Sequence, residues 1–508
     1  KADNSLTRAE MAAVVNRAFG ASVAADIKTV KDVPSSAWYA KDMAKAVQMH
    51  TFALDTKMRP NDKITRQEAF AVLARAFKLA STDVNNKALD KFGDKAAIAS
   101  WALKDLNGMA EAGYIKGSPN GNLNPKANIT RAEFAVVMDS LVKQYIDKAG
   151  TVTEVATSGN VMIRTAGVTL KGVTVKGDLI IGDGVGDGDA VLDGVKVEGR
   201  TVVRGGGTNS IIIRGNSNVG SIIVSKTTGE VRVAVEGGAD VEIIYVDDGS
   251  DDVIVQGSIG TLEVAGDNVT VTATEAVITK ATISGEKSAI VVEKGSAIST
   301  VTVSGANAAI SGQGEVKTVS VIAGGDKAVI TTPNTITKVD SNVSGVTAGG
   351  KEVPAGSTAT NNATGTDATV TQPSAGGGGG GGSVKHLTIN GNRIDDEFDG
   401  KALNTSLADL VDLMTKNKLY TDNIEKFGNL NYSSFASEFG DTFSPLASVT
   451  NGGELGAALK LVAGEIAEDT TDRYAVLDKA RTISQNIATN ADVTYNNGTT
   501  TKTLKSIK

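Results

Sequence analysis

The tetrad Thr-Arg-x-Glu occurs three times in the first 133 residues, each time at the head of an apolar run with helical spacing. The copies are Thr7-Arg8-Ala9-Glu10, Thr65-Arg66-Gln67-Glu68 and Thr130-Arg131-Ala132-Glu133. Repetition at intervals of 58 and then 65 residues marks a tandem module, which restricts the fold more than any single motif does. Each tetrad is a capping box: the Thr hydroxyl accepts the N3 amide and the Glu reaches back to the Thr amide. Leu6 with Met11, Ile64 with Ala69 and Ile129 with Phe134 supply hydrophobic staples. Behind the boxes, Met11, Val14, Val15 and Ala18, then Val72, Leu73, Ala76 and Phe77, then Phe134, Val137, Met138 and Leu141 give each helix one apolar face. The arginine is the odd member. A cation at the first helical position opposes the helix dipole at a cost of about 0.3–1 kcal/mol. Three at one position point to an external anion, or to a carboxylate supplied by a neighbouring segment.

The segments between the tetrads extend the repeat. The third copy carries Phe92-Gly93-Asp94, Trp101, Gly113-Tyr114-Ile115-x-Gly117 and Asn124-Pro125 ahead of Thr130. The second keeps Asp32, Trp38 and Thr65, but Met49-His50-Thr51-Phe52 replaces the glycine turn and its loop is two residues shorter. The first copy consists of its last helix alone. These motifs resemble surface-layer homology (SLH) domains. The resemblance implies a three-pronged helical spindle whose grooves bind negatively charged, often pyruvylated, secondary cell-wall polysaccharide. Carried onto this chain, it nominates Arg8, Asp32, Trp38, Arg66, Asp94, Trp101, Gly117 and Arg131 as glycan-binding residues, with the Arg66 groove the weaker for lacking the glycine turn. It also implies a secreted protein of a bacterial cell wall or S-layer, whose signal peptide was removed ahead of Lys1.

The chain has 508 residues, no cysteine, two histidines and a net charge of −7. Thiol and Cys-metal chemistry are thereby excluded, and no basic stripe suits nucleic acid. No apolar run reaches the length that crosses a bilayer. From about Val161 to Val346, short β-branched strings separated by Gly, Asn, Asp or Ser recur about every 10–11 residues between Ile180 and Leu262. Strands this short predict a β-solenoid, here a right-handed β-helix of about nine coils spanning on the order of 40 Å; a β-sandwich is the alternative. Between Thr151 and Gly382 the single aromatic residue is Tyr245, so the segment reads as a rod without glycan platforms. Ile212 is expected in its interior ladder and Ser217 in a turn.

Two acidic knots interrupt the rod: Asp183, Asp187 and Asp189, then Asp247, Asp248, Asp251 and Asp252. Alternating Asp and Gly can wrap oxygens around Ca²⁺, although neither knot has EF-hand spacing, and solvated turns are the plain alternative. Residues 349–383, ending in seven glycines, read as a flexible linker. Beyond it, His386–Ile389 with Asn390-Gly391 reads as a strand and tight turn, and Leu403–Asn417, Glu454–Glu468 and Arg473–Thr489 as amphipathic helices. The expected multidomain architecture is an SLH unit over 1–148 (second repeat about 30–80, third about 90–148), an all-β solenoid over 151–348, a linker over 349–383 and a mainly helical domain over 384–508. The expected role is a non-catalytic surface protein that anchors to wall polysaccharide and assembles with copies of itself. An anchored enzyme or adhesin acting on glycans is the alternative.

Overall fold

The computed structural model describes residues 2–247, 252–333, 336–340 and 342–372, and beyond these the strands His386–Ile389, Asn392–Arg393, Val493–Asn496 and Thr501–Thr503. The chain divides into two units, Lys1–Ala375 and Gly376–Lys508. In the second, the four strands pair antiparallel, with Ile389 opposite Asn392; Asn390-Gly391, expected as a tight turn, lie outside the described residues. The three helices expected there, and the acidic run Asp395–Asp399, lie outside the described residues.

The first unit opens with five helices: α1 (Arg8–Phe19), α2 (Ala40–Gln48), α3 (Arg66–Ala76), α4 (Leu103–Glu111) and α5 (Arg131–Leu141). The tetrads start α1, α3 and α5, and all three capping boxes are complete. The staple residues do more than close their own helices. Leu6 N donates to Ile129 O (3.2 Å), Ile129 N to Ile64 O (3.1 Å) and Ile64 N to Leu6 O (3.0 Å). This closed ring of three hydrogen bonds binds the repeats about a pseudo-threefold axis, with all three side chains buried. Because each helix start borrows a carbonyl from another repeat, the helices assemble as one core.

From Gln144 onward the chain winds into a parallel β-solenoid. One inward ladder runs Ile146, Ile163, Ile181, Val203, Val224, Val246, Val264, Ile283, Val303, Val321, Val339, each paired in register with the next. Successive rungs lie 17–22 residues apart, and the ten steps span about 48 Å at the strand spacing. A second ladder contains Leu170, Leu192, Ile213 and Val235, and a third contains Val175, Val197 and Val219. Three faces thus enclose a core of Val, Ile, Leu and Ala. In-register stacking excludes the sandwich.

Three expectations about the solenoid need correction. Ile212 lies on the outward side of its strand, and the buried residues are its neighbours Ile211 and Ile213. A three-residue apolar string does not reveal its phase, and a one-residue slip exchanges the faces. Ser217 is a buried corner: its hydroxyl accepts the Val195 amide (2.9 Å) and donates to carbonyls of Arg214 and Leu192. Ser288 and Ser296 make the same kind of bridge between coils. Finally, the stretch read as linker from residue 349 is structured as far as 372. Ile336–Val339 pairs antiparallel with Thr358–Asn361, which pairs with Ala368–Thr371, and Val353, Ala359 and Ala368 are buried. This hairpin closes the end of the solenoid, where open strand edges would otherwise face water.

The boundary expected near residue 148 is no domain boundary either. Met162, Ile180 and Val202, outward residues on successive coils, are buried in the core of the helical unit. Helix ends meet the solenoid as well. Arg200 donates to the carbonyls of Phe77 and Lys78 at the end of α3, and Arg204 to Met49 O (3.0 Å) at the end of α2. Asn160 donates to Leu141 O (2.9 Å) at the end of α5. The end of α1 is Gly20, at φ +74°, whose Cα would lie 3.1 Å from a Cβ on Gly184, so the contact requires glycine on both sides. Cations at helix C-termini satisfy free carbonyls and complement the dipole together.

Ile213→Asp places an unpaired carboxylate in a dry core and is expected to cost more than about 4 kcal/mol, with loss of β-sheet circular dichroism. Ile212→Asp, on the outer face, is expected to cost much less. Ser217→Ala is expected to cost about 1–3 kcal/mol in chemical denaturation, because the Val195 amide is left without its acceptor.

Candidate functional site

The arginines that looked misplaced at the helix starts form a ring. Arg8 Nη1 meets Glu68 Oε1 (2.8 Å), Arg66 Nη1 meets Glu133 Oε1 (2.6 Å), and Arg131 meets Glu10 Oε1. Each glutamate divides its oxygens. Oε2 of Glu10, Glu68 and Glu133 accepts the amide of its own Thr7, Thr65 or Thr130 at 2.8–2.9 Å, while Oε1 receives an arginine from a different repeat. The carboxylate alternative therefore accounts for the position of all three arginines. Burial separates them: the Arg8 and Arg66 side chains are 15% and 12% exposed, that of Arg131 47%.

Arg8 and Arg66 also grip the turns that precede the next tetrads. Arg8 Nε donates to Met58 O (2.8 Å), and Arg66 Nε to Leu123 O (2.7 Å). The aspartates hold the same turns from the other side. Asp32 accepts the amides of Met58 (2.9 Å) and Arg59 (2.8 Å), and Asp94 those of Leu123 and Asn124 (both 2.7 Å). Four of the nominated residues thus converge on two equivalent clasped turns. Each ends in a left-handed residue, Arg59 (φ +52°) or Asn124 (φ +55°), followed by proline. Spacing could not reveal this, because clasp and turn lie 26–30 residues apart.

The tryptophans are the surface features. Trp38 is 64% exposed and Trp101 52%, which is unusual for such large apolar side chains. Trp38 stands edge-on to Tyr39 at 5.5 Å, and the Tyr39 hydroxyl accepts from Asn61 of the adjoining turn (3.4 Å). Gly117 is exposed in the loop that turns back on Gly121, whose carbonyl carbon would lie 3.3 Å from an added Cβ. A groove of about 440 Å³ opens along the end of α2, lined by Ala25, Val47, His50, Phe52, Leu54 and Arg75. Residues 1–148 carry 22 Lys and Arg against 16 Asp and Glu, a net of +6. With −7 for the whole chain, the remainder carries −13.

The acidic knots look different once folded. Asp183 faces the buried Arg204 with both oxygens (2.8 and 3.2 Å), while the Arg204 guanidinium lies over Phe19. Asp187 pairs with the buried Lys226 (2.8 Å), which also donates to Gly206 O and Glu230 O. Asp189 is exposed, and Asp247 pairs with Lys78 (2.8 Å). Asp251 lies outside the described residues. The expected calcium cage is therefore not assembled at the first knot: buried cations already claim two of its carboxylates. Among the described residues no three His, Cys, Asp or Glu side chains gather as a metal site. Arg204 and Lys226, which join coil to coil and solenoid to helix, left no signal in the sequence beyond being isolated cations in apolar surroundings.

The S-layer homology domain model matches residues 31–70 and 91–135, and this chain carries S-layer homology domains. The helical region is 36% identical over 143 residues to the surface-layer 125 kDa protein of Lysinibacillus sphaericus, covering 27% of this chain and 12% of that protein. It is 33% identical over 144 residues to an amylopullulanase of Thermoanaerobacterium thermosulfurigenes (28% and 8%). With a cellulosome-anchoring protein of Acetivibrio thermocellus it shares 32% over 151 residues (27% and 32%). The matched region spans less than a third of each of these relatives. Among the described residues no helix is long and apolar enough to cross a membrane.

Arg66→Ala removes a largely buried ion pair and a carbonyl contact and is expected to destabilise the unit by roughly 1.5–3 kcal/mol. Arg131→Ala, on a half-exposed pair, is expected to cost less than about 1 kcal/mol in the same denaturation series. A pH titration checks the glutamates. Burial pushes the carboxyls of Glu10 and Glu68 up, but the threonine hydrogen bonds and the arginines (Arg131 for Glu10, Arg8 and Arg59 for Glu68) outweigh it and leave both below the usual range. A folded pKa below the unfolded value gives stability that is present above about pH 4.3 and lost as pH falls through the folded value. Glu68→Gln is expected to flatten that acid limb.

Proposed function

We propose that this chain is a non-catalytic structural protein of a bacterial cell surface. Its S-layer homology unit holds acidic, pyruvylated secondary cell-wall polysaccharide, and the solenoid packs against copies of itself in an S-layer or related array. The observation that carries the anchoring is the pair of exposed tryptophans, Trp38 and Trp101, one in each repeat that carries a clasped turn: an exposed flat apolar ring suits the face of a sugar. The net of +6 on residues 1–148 favours an acidic polymer over a neutral one. The array reading is supported by the continuous wall that the solenoid forms with the helical unit, and by likeness to a protein named for the surface layer. The amylopullulanase among the relatives keeps an anchored enzyme as the second reading, with chemistry placed outside the matched region.

Trp38→Ala combined with Trp101→Ala is expected to weaken co-sedimentation with purified wall polysaccharide about tenfold or more while the thermal transition stays in place. Unchanged binding by the double variant removes the platforms from the anchoring site. Ordered sheets of purified protein in negative stain are the expected outcome for the array; particles that stay monodisperse at every concentration favour the second reading.

A further inference from the structure

Where the solenoid turns apolar side chains outward on its first face, as at Met162, Ile180 and Val202, the helical unit buries them. The face of the second ladder also turns apolar side chains outward, and these stay at the surface. Ile254 stacks in register on Thr272, Thr272 on Val291 and Val291 on Ser311, all half-exposed. In the neighbouring row, Ala289 stacks on Ala309 and Ala309 on Val329, which is 43% exposed. No charge interrupts these two rows. The same coils are charged on their other faces, by Glu263, Lys280 and Lys338 on the first and by Glu315 and Lys317 on the third. Toward the helical unit the uncharged stripe continues through Ile212, Val191, Thr169 and Thr151. Asp193 and Arg214 border it there and neutralise each other at 3.3 Å.

A flat pleated surface of β-branched and small side chains packs best on another of its kind, about 10 Å away. Every copy of this chain carries one. Outside the helical unit the chain has a net charge of −13, so copies repel least where they meet at an uncharged face. A twofold axis parallel to the solenoid lays one such face on the other and keeps both helical units at the same end. It also opposes the margins of the stripe. Lys287 precedes the strand Ala289–Val292 and Glu293 follows it, both exposed, so the Lys287 margin of one copy meets the Glu293 margin of the other. Lys287 is held in its own chain by the exposed Glu286 (3.0 Å), a weak competitor. The face measures about 48 Å by roughly 13 Å, on the order of 600 Å² per copy against about 800 Å² in a stable complex. Free copies therefore separate, and copies confined side by side associate.

We infer that the uncharged second face of the solenoid is the surface on which a second copy docks, face to face and with the two solenoids parallel. This rests on the array reading above and adds which face makes the contact. The chain has no cysteine, so a single introduced thiol reports on the contact alone. The test uses the full chain at the concentration where ordered sheets form. Ala309→Cys, in the stripe, is expected to give dimers with a short bismaleimide. Thr302→Cys, outward on the first face, is expected to give about tenfold less. Val291→Lys places a charge on the stripe at an outward site. It is expected to keep the β-sheet circular dichroism, lower the A309C dimer yield about tenfold and abolish the sheets; Thr302→Lys is expected to leave both unchanged. Equal yields from A309C and T302C, or an A309C yield that V291K leaves unchanged, would overturn the docking face. So would A309C that a maleimide cannot label in dilute monomer, because the stripe would then be covered from within its own chain. Ordered sheets without A309C dimers sink the face and leave the array reading standing. Dimers through A309C without sheets keep the face and remove the array. Protein that gives neither at any concentration removes both.

Discussion

Each capping-box glutamate serves two repeats at once, and much of the helical unit follows from that. One oxygen closes its own helix start and the other receives an arginine from a different repeat, which also relieves the cation's conflict with its own helix dipole. Directly inside lies the hydrogen-bond ring of Leu6, Ile64 and Ile129. Outside lie the turns that Arg8 and Arg66 grip by their carbonyls and that Asp32 and Asp94 grip by their amides. Local capping, which alone is worth about 1 kcal/mol per helix, becomes the seam of a tertiary assembly.

The helix starts are occupied with one another, while the ends of α1, α2, α3 and α5 rest on the solenoid. Arg200, Arg204 and Asn160 satisfy carbonyls there, and Gly20 against Gly184 allows the backbones to approach. Three outward apolar side chains, Met162, Ile180 and Val202, seal the join from below. The helical unit and the first coils are thus one body, joined through a packed core rather than a tether. This also explains two buried cations in a β-solenoid: Arg204 and Lys226 are tolerable because Asp183 and Asp187 neutralise them and backbone carbonyls take their remaining donors.

The places where sequence and structure part have a common physical source. A string such as Ile211-Ile212-Ile213 announces a strand but not its phase, because neighbouring coils set which face is inward. Ser217 looks like turn punctuation until its hydroxyl is seen bridging two coils. The Gly-, Thr- and Ala-rich stretch after Val346 has a linker's composition, yet small residues also suit a hairpin that must fold tightly over a solenoid end. Asp183 and Asp187 read as calcium oxygens because their buried cationic partners come from 21 and 39 residues further along the chain.

The sequence by itself determined the repeated helix starts, the resemblance to surface-layer homology domains and the presence of a stacked short-strand region. Each of these is written in local spacing, where capping boxes and β-branched strings act over a few residues. Tertiary structure decided what the nominated side chains touch. It turned the tetrad arginines toward neighbouring glutamates, set Asp32 and Asp94 on turns 26–30 residues away, left Trp38 and Trp101 on the surface, and fused the helical unit to the coils. Those outcomes depend on which distant carbonyl or cation the fold brings to each buried polar group, and the chain records no such distances in its order of residues.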